Sequence, residues 1–493
     1  MVAKAKELSK HASNKWVILA LLALAQFMVV LDVSVVNVAL PSMSSALHFS
    51  ASNLQWVITA YTLTFGGFLL LGGRASDVYG RRRIFIAAIA FFSLMSFLCG
   101  MAVNDTQVII ARAAQGLAGA IMSPAALSIV LAEFNEGKER NTALGVWSAV
   151  AAGGAAVGVL LGGILTQYLS WRWNFFVNVP VGIFVVFSAS RLLPRHLSEE
   201  NKKLKLDLSG AIFATAGLMS LVYGLSKAPV DSWGSATVWS FIAASVILLI
   251  AFVINEMKVK QPLLPLKLFK IRNVSGGNLT ALAVACTLFS MFFFVTLYVQ
   301  DVLGYGPAKA GLAFLPVTFI IAIASGVVSN LVNKIGYKYF LVTGPIVLGV
   351  GLYVLASTMK VGGAYWQNVI PGLALCGLGM GLSFISMTLA ATTGVPKHFA
   401  GIGSGVLNTS QQVGGSIGLA ILSAVYATTF SSRLKAAPVS HSFGQMLISS
   451  HKAEIHGFQS ALHVGVGLAL GAAVIALIVV RNQKVKPSLS SGA

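Results

Sequence analysis

The sequence predicts an all-α integral membrane protein with fourteen transmembrane helices, and three observations carry that prediction. Of 493 residues, 56% are hydrophobic and only 10% are charged, against roughly 25% charged in a soluble domain. The apolar residues gather into fourteen runs, near 16–38, 53–73, 84–102, 107–131, 142–164, 174–193, 208–226, 237–257, 275–300, 309–331, 339–358, 366–391, 402–425 and 458–480. Most reach or exceed the ~20 residues that cross hydrocarbon. The third observation is the placement of charge. With the N-terminus set in the cytoplasm, 26 of the 34 Lys and Arg fall in inside segments, 7 fall outside and Arg112 lies within a run. Basic residues are retained on the cytoplasmic side, and one misplaced helix would invert every later loop and destroy this asymmetry.

The same placement disposes of the most obvious reading of a net charge of +20. A soluble chain so basic would suggest nucleic acid, whereas here the charge orients helices, so no nucleic-acid partner is expected. The three cysteines, Cys99, Cys286 and Cys376, sit inside apolar runs and read as small core residues. There is no clustered His/Cys/Glu set for a metal, no nucleophile–base pair and no phosphate loop on a strand. No enzyme chemistry, cofactor or metal is expected.

The segments divide as 1–15, a basic cytoplasmic start; 16–193, a first six-helix block; 194–274, a charged linker with two extra helices; 275–480, a second block; and 481–493, a cytoplasmic tail. The first run is too long for a signal-peptide core and is read as retained. It carries Asp32 in Leu31-Asp32-Val33-Ser34-Val35-Val36-Asn37-Val38-Ala39-Leu40-Pro41. An aspartate within a span is costly and is kept for a function or a partner. The fourth run contains the other clear intramembrane charge, in Arg112-Ala113-Ala114-Gln115-Gly116-Leu117-Ala118-Gly119. Counted from the middles of their spans, Asp32 and Arg112 lie roughly 7.5 and 10 Å outward at ~1.5 Å per residue. They match in depth to within one helical turn. As a pair they either lock two helices or form a carboxylate whose protonation answers to its cationic neighbour and to substrate. The second is the reading preferred.

Between the second and third runs lies Gly72-Gly73-Arg74-Ala75-Ser76-Asp77-Val78-Tyr79-Gly80-Arg81-Arg82-Arg83, expected to be a cytoplasmic loop of about ten residues. Gly73 and Gly80 suit tight turns, and Asp77 suits a helix cap or an arginine partner. The fifth run places Gly154, Gly158 and Gly162 at four-residue spacing, with Gly153 and Gly163 beside them, which flattens one helix face against a neighbour. Trp171-Arg172-Trp173-Asn174-Phe175-Phe176-Val177-Asn178-Val179-Pro180 follows at the outer face. The stretch Tyr426–Gly457 reads as the longest outside loop, with His441, His451 and His456 solvated in it.

The second block echoes the first. Asn333-Lys334-Ile335-Gly336 repeats the Asp77…Gly80 spacing at an offset of 256. Gly116-Leu117 matches Gly377-Leu378, and Gly153-Gly154 matches Gly414-Gly415, at an offset of 261. Weak internal repeats of this kind are left by the parallel halves of a transporter. Leu373 stands where Arg112 was, so the charged pair belongs to the first block.

These motifs together resemble the major facilitator superfamily, and specifically its fourteen-helix drug:proton antiporters, over nearly the whole chain. Leu31-Asp32 to Pro41 resembles that family's helix 1 signature, and Gly73…Arg83, as G-x-x-x-D-x-x-G-R-R-R, its helix 2–3 loop. Arg112 to Gly119 resembles the helix 4 signature, and Gly153 to Gly163 the helix 5 antiporter motif. That motif often reads Gly-Pro-x-x-Gly-Gly, whereas Gly158-Val159-Leu160-Leu161-Gly162-Gly163 has valine for the proline. The resemblance implies two six-helix bundles plus two accessory helices, with Asp32 and Arg112 coupling to protons. It implies a cytoplasmic gate at Gly73, Asp77, Gly80, Arg81 and Arg82. The implied function is export of hydrophobic or amphipathic small molecules such as antibiotics across the plasma membrane of a bacterium, driven by the proton gradient with no cofactor. The partners expected are substrate, protons and membrane lipids, and the chain is expected to act as a monomer. Gln55, Tyr61, Asn408 and Gln411 are candidates for a substrate cavity or for ordinary interhelical hydrogen bonds. Apart from Asp32 no acid lies deep in a span, so dedicated recognition of divalent cations is not expected. An uptake carrier on the same scaffold, or a membrane sensor, is the alternative.

Overall fold

The structure is a computed structural model that describes residues 2–134, 138–194, 206–395, 400–436 and 443–482. Residues 195–205 of the expected linker, His441 and the tail from 483 onward lie outside the described residues. The main helices in chain order are α1 (Val2–Leu47), α2 (Trp56–Tyr79), α3 (Arg81–Met101), α4 (Asp105–Glu133), α5 (Lys138–Tyr168) and α6 (Asn178–Leu192). Next come α7 (Leu208–Asp231), α8 (Ala236–Lys258), α9 (Arg272–Leu297) and α10 (Leu315–Ile335), the last preceded by the short helix Pro307–Ala313. The chain closes with α11 (Tyr337–Thr358), α12 (Ile370–Thr392), α13 (Ala400–Lys435) and α14 (Phe443–Val479). Among the described residues, thirteen helical stretches are long and apolar enough to cross a membrane, and α5 adds the shorter apolar stretch Val157–Tyr168. With every backbone donor and acceptor needing an internal partner in hydrocarbon, helices are what such a composition can form. The protein is a multi-pass membrane protein.

The contacts divide the chain into two units. The first holds Met1–Ala216, Leu249–Leu263 and Gly306–Leu312, and the second holds Gly217–Leu248, Leu264–Tyr305 and Ala313–Ala493. Within the first unit the main pairings are α2 with α4, α1 with α5, α3 with α4 and α3 with α6. Within the second they are α10 with α12, α9 with α13, α11 with α12 and α11 with α14. Each pairing in one unit has its counterpart eight helices later, so the weak sequence echo is an architectural repeat.

The repeat extends to single atoms. A Cβ on Gly116 of α4 would fall 2.3 Å from the carbonyl oxygen of Tyr61 on α2. A Cβ on Gly377 of α12 would fall 3.0 Å from the carbonyl oxygen of Val317 on α10. Tyr61 and Val317 are related by the same offset of 256 that relates Gly80 to Gly336. Those two glycines have φ of 91° and 92°, a conformation that L side chains rarely adopt. Each joins two long helices across one residue.

Two expectations are corrected here. The Gly73–Arg83 segment is not a ten-residue loop: α2 continues through Tyr79 and α3 begins at Arg81, with Gly80 alone breaking the helix. Nothing between Gly73 and Tyr79 is a helix breaker, and Arg81 and Arg82 are supported from outside the turn. The Tyr426–Gly457 stretch is also mostly helical, because α13 runs to Lys435 and α14 starts at Phe443. His451, Glu454 and His456 therefore stand on α14.

Candidate functional site: a buried ion pair in the first unit

The sequence of α1 is apolar through its middle, so a carboxylate there has to find its donors inside the protein. Asp32 is completely buried, Arg112 is 1% exposed, and the arginine Nη1 donates to Asp32 Oδ2 at 2.5 Å. The other carboxylate oxygen, Oδ1, accepts from Gln115 Nε2 at 2.8 Å and from Asn178 Nδ2 at 2.9 Å. Gln115 lies one turn beyond Arg112 on α4, where i and i+3 side chains meet, and its Oε1 accepts from Arg112 at 2.8 Å. The guanidinium is completed by Nε donating to the Val57 carbonyl at 3.0 Å. Its flat face lies 4.2 Å from the Tyr61 ring centroid and 5.8 Å from that of Phe175, within cation–π range.

The hydrogen bonds that reach Asp32 all come from N–H groups, those of Arg112, Gln115 and Asn178. Removing one member of such a buried pair strands the other charge, at a cost of about 3–5 kcal/mol. Arg112, by contrast, retains neutral partners of its own in Val57, Gln115 and Tyr61.

The glycines of α5 determine where α1 sits. A Cβ on Gly158 would fall 2.8 Å from Ser34 Cβ, and one on Gly162 would fall 2.8 Å from Val35 Cα. Gly154 faces Phe27 and Val30 at 3.3 Å. The three glycines therefore line the side of α1 next to Asp32. Gly163 points elsewhere: its Cβ would meet the Pro307 carbonyl at 2.5 Å, and the Ala308 N–H donates to Gln167 Oε1 at 3.0 Å.

At the Gly80 turn, Arg81 Nη1 donates to the Ser128 carbonyl at 3.3 Å and Arg82 Nη2 to the Ser190 carbonyl at 2.6 Å. Ser190 lies in the last turn of α6, where carbonyls lack intrahelical partners and positive charge is favoured, and Ser128 lies about one turn further inside the end of α4. Arg74 donates to Gln261 Oε1. Gly72 comes so close to α4 that a Cβ would fall 2.3 Å from the Ala120 carbonyl, whereas Gly73 has room, its nearest neighbour being Pro124 Cβ at 3.6 Å. The side chain of Asp77 lies outside the described residues.

The expected cavity residues fall in different units. Gln55 and Tyr61 are buried in the first, with Tyr61 taken up by the arginine. Asn408 is exposed in the second unit, its amide donating to the Ser404 carbonyl at 3.1 Å, and Gln411 there is half-buried. Sequence reasoning missed Asn178 and Gln115 as partners of the ion pair, and Ser96 as the partner of Asn178. The Asn178 signal was present, an asparagine beside Pro180 in an aromatic segment, but nothing in the sequence aims it at α1. Sequence reasoning also missed Asp207. That carboxylate is 4% exposed and accepts from the Gly210 N–H at 2.9 Å, Ser209 Oγ at 2.9 Å and Asn255 Nδ2 at 2.9 and 2.8 Å. Burial pushes its carboxyl up, but those donated bonds outweigh it and hold the group below the usual carboxylate range.

The family model described as Major Facilitator Superfamily matches residues 22–419, well over half of the chain. The chain belongs to the major facilitator superfamily. Among superfamily relatives, the puromycin resistance protein of Streptomyces alboniger is 38% identical over 475 residues, covering 95% of this chain and 92% of its own. The cephamycin export protein of Amycolatopsis lactamdurans is 39% identical over 406 residues, covering 82% and 83%. Among solved structures, the POT family transporter PepTSo superposes with a TM-score of 0.68 at 14% identity, covering 95% of this chain and 97% of its own. A bacterial homologue of the human lysosomal transporter Spinster gives 0.65 at 16%, covering 94% and 97%. At those identities the structures speak to the fold, which is the major facilitator architecture expected from the sequence.

Proposed function

We propose that this superfamily transporter is a proton-coupled antiporter that exports hydrophobic or amphipathic small molecules across the cell membrane, with both termini cytoplasmic. The observation that carries the reading is the buried Asp32–Arg112 pair, which places a titratable group in a membrane helix against a cation. The export direction and the antibiotic class are supported by relatives whose names are those of resistance and export proteins. The proton gradient is the energy source, and no cofactor is required. Substrate, protons and membrane lipids are the partners, and a single chain is the working unit.

In this mechanism ionised Asp32 holds α1, α4 and α6 together through Arg112, Gln115 and Asn178. A proton arriving at Asp32 cancels the charge those donors serve. Arg112 then relies on Val57, Gln115 and the Tyr61 ring, and the hold on α1 weakens. A proton can drive such a change only by binding one access state more tightly than the other. The Gly73–Arg83 segment, with Gly80 as its pivot and Arg81 and Arg82 bonded to helix carbonyls, serves as the cytoplasmic gate together with Asp77. Asn408 and Gln411, both in the second unit, remain proposed polar contacts for substrate, whereas Gln55 and Tyr61 are buried in the first.

The test uses inverted membrane vesicles with an imposed proton gradient and a drug panel including puromycin, a cephamycin and tetracenomycin C. Drug-dependent proton release that vanishes in Asp32→Asn is the expected result. Full proton-driven export by Asp32→Asn would remove Asp32 from the coupling step.

A further inference from the structure

The segment Trp171–Pro180 has no part in the mechanism above except through one side chain. Pro180 lacks the N–H that would bond the Phe176 carbonyl, yet the turn Trp173–Phe176 runs into α6 through Val177, which keeps helical dihedrals of −59° and −28°. Asn178, the first residue of α6, reaches across the unit with its amide. Its Nδ2 donates twice, to Asp32 Oδ1 at 2.9 Å and to Ser96 Oγ on α3 at 3.0 Å. Ser96 in turn donates to the Phe175 carbonyl at 2.8 Å, which ties this turn to α3. Asn178 is 1% exposed and Ser96 is fully buried. A buried amide with both N–H groups used on oxygen acceptors is held in one orientation, nitrogen end toward the carboxylate.

We propose that Asn178 is a positioning residue for the protonation of Asp32, oriented by Ser96, and that it sets the pH at which the transporter loads its proton. This rests on Asp32 being the coupling carboxylate. A donor to the ionised form favours that form, so the amide keeps the proton off until the outer pH or the conformation overrides it. Asparagine suits the task because it stabilises the anion without adding a second titratable group. The other groups around Asp32 are Arg112 on α4, Tyr61 on α2 and Cys99 on α3, both of which feel the Asp32 and Arg112 charges. On α5, the glycines Gly154, Gly158 and Gly162 face α1. Arg112 is a fixed cation over the working range, so the uncharged donors are the adjustable part of the site.

The experiment measures the pH profile of drug-dependent proton release in vesicles for the wild type, Asn178→Ala, Ser96→Ala, Asn178→Ser and Asp32→Asn. Asn178→Ala is expected to move the midpoint up by about one pH unit, a tenfold tighter proton. Ser96→Ala, which leaves the amide in place but unanchored, should move it in the same direction by less. Asn178→Ser, which restores a hydroxyl donor, should recover part of the shift. If Asn178→Ala does not fold, Ser96→Ala decides the matter alone. A lower maximal rate with an unchanged midpoint in folded variants would make Asn178 a packing residue and overturn the proposal while leaving Asp32 in place. Wild-type pH dependence in Asp32→Asn would instead remove the coupling reading on which the proposal rests.

Discussion

The Cβ that Gly158 lacks would lie 2.8 Å from the Cβ of Ser34, two residues along α1 from Asp32. The glycine motif of α5 and the charged residue of α1 are thus two sides of one arrangement. The glycines admit α1 at a distance no larger residue allows, and at that distance Asp32 meets Arg112, Gln115 and Asn178. Gly158→Ala should push α1 away and cost about 1–3 kcal/mol, as overpacking does. Ser34→Gly in the same chain removes the colliding atom, although the Leu31 carbonyl, 3.1 Å from the same Cβ, stays. Thermal unfolding in detergent should show a lower midpoint for Gly158→Ala and partial recovery in the double variant. No recovery would mean that the glycine acts through backbone flexibility and not through space.

Charge balance in the core gives a second prediction. Asp32→Asn leaves Arg112 without its counter-ion but with three neutral partners, whereas Arg112→Ala leaves Asp32 with two amides and no cation. Arg112→Ala should therefore be the more destabilising, by about 3–5 kcal/mol. Arg112→Ala combined with Asp32→Asn should be milder than the sum of the two. A thermal-shift double-mutant cycle reads this directly, and additivity would show that the two side chains do not interact in the membrane.

Gly80 and Gly336 offer a matched pair. Both sit at φ near +90° between helices that would otherwise run on, so an alanine at either is strained by roughly 1–2 kcal/mol. Their surroundings differ in the charges they position. Gly80 is followed by Arg81 and Arg82, bonded to carbonyls of other helices, while Gly336 lies against Asn482, whose Nδ2 donates to the Ile335 carbonyl at 3.1 Å. Both Gly80→Ala and Gly336→Ala are expected to lose stability, Gly336→Ala the more because its added Cβ also displaces the Asn482 side chain. The drop in transport rate should be larger for Gly80→Ala, measured as drug efflux at matched protein levels.

How much of this was legible in the sequence depends on the range of the interaction. Helices, their number and the repeat were readable because hydrophobic runs and glycine spacing are local signals. The pairing of Asp32 with Arg112 was readable because a charge in hydrocarbon demands a partner and only one lay at matching depth. Asn178, Gln115 and Ser96 were not readable in their roles, since a neutral polar residue in a span carries no such demand and its aim is set by helix rotation. The Gly73–Arg83 segment was misjudged because its charge suggested a solvated loop. Arg81 and Arg82 instead end on helix carbonyls, and α2 and α3 run to within one residue of each other. The cavity candidates were chosen for polarity alone, and polarity did not separate Tyr61, buried against a guanidinium, from Asn408, exposed on α13.

Asp207 gives a prediction about pH and stability. It caps the start of α7 through Gly210 and joins it to α8 through Asn255. Its folded-state carboxyl is held below the usual range despite burial, so its contribution to stability is present above the unfolded carboxylate value of about 3.9. That contribution is lost as pH falls from there through the lower folded value, because the folded protein must then accept a proton that breaks the cap. Asp207→Asn should unfold at a lower temperature than the wild type at pH 7. The difference between the two should shrink steadily below about pH 4. A thermal-unfolding series from pH 7 to pH 3 in detergent measures it. A constant gap across that series would mean that the Asp207 charge is not what fastens α7 to α8, and that the protonated carboxyl holds the cap as well as the carboxylate does.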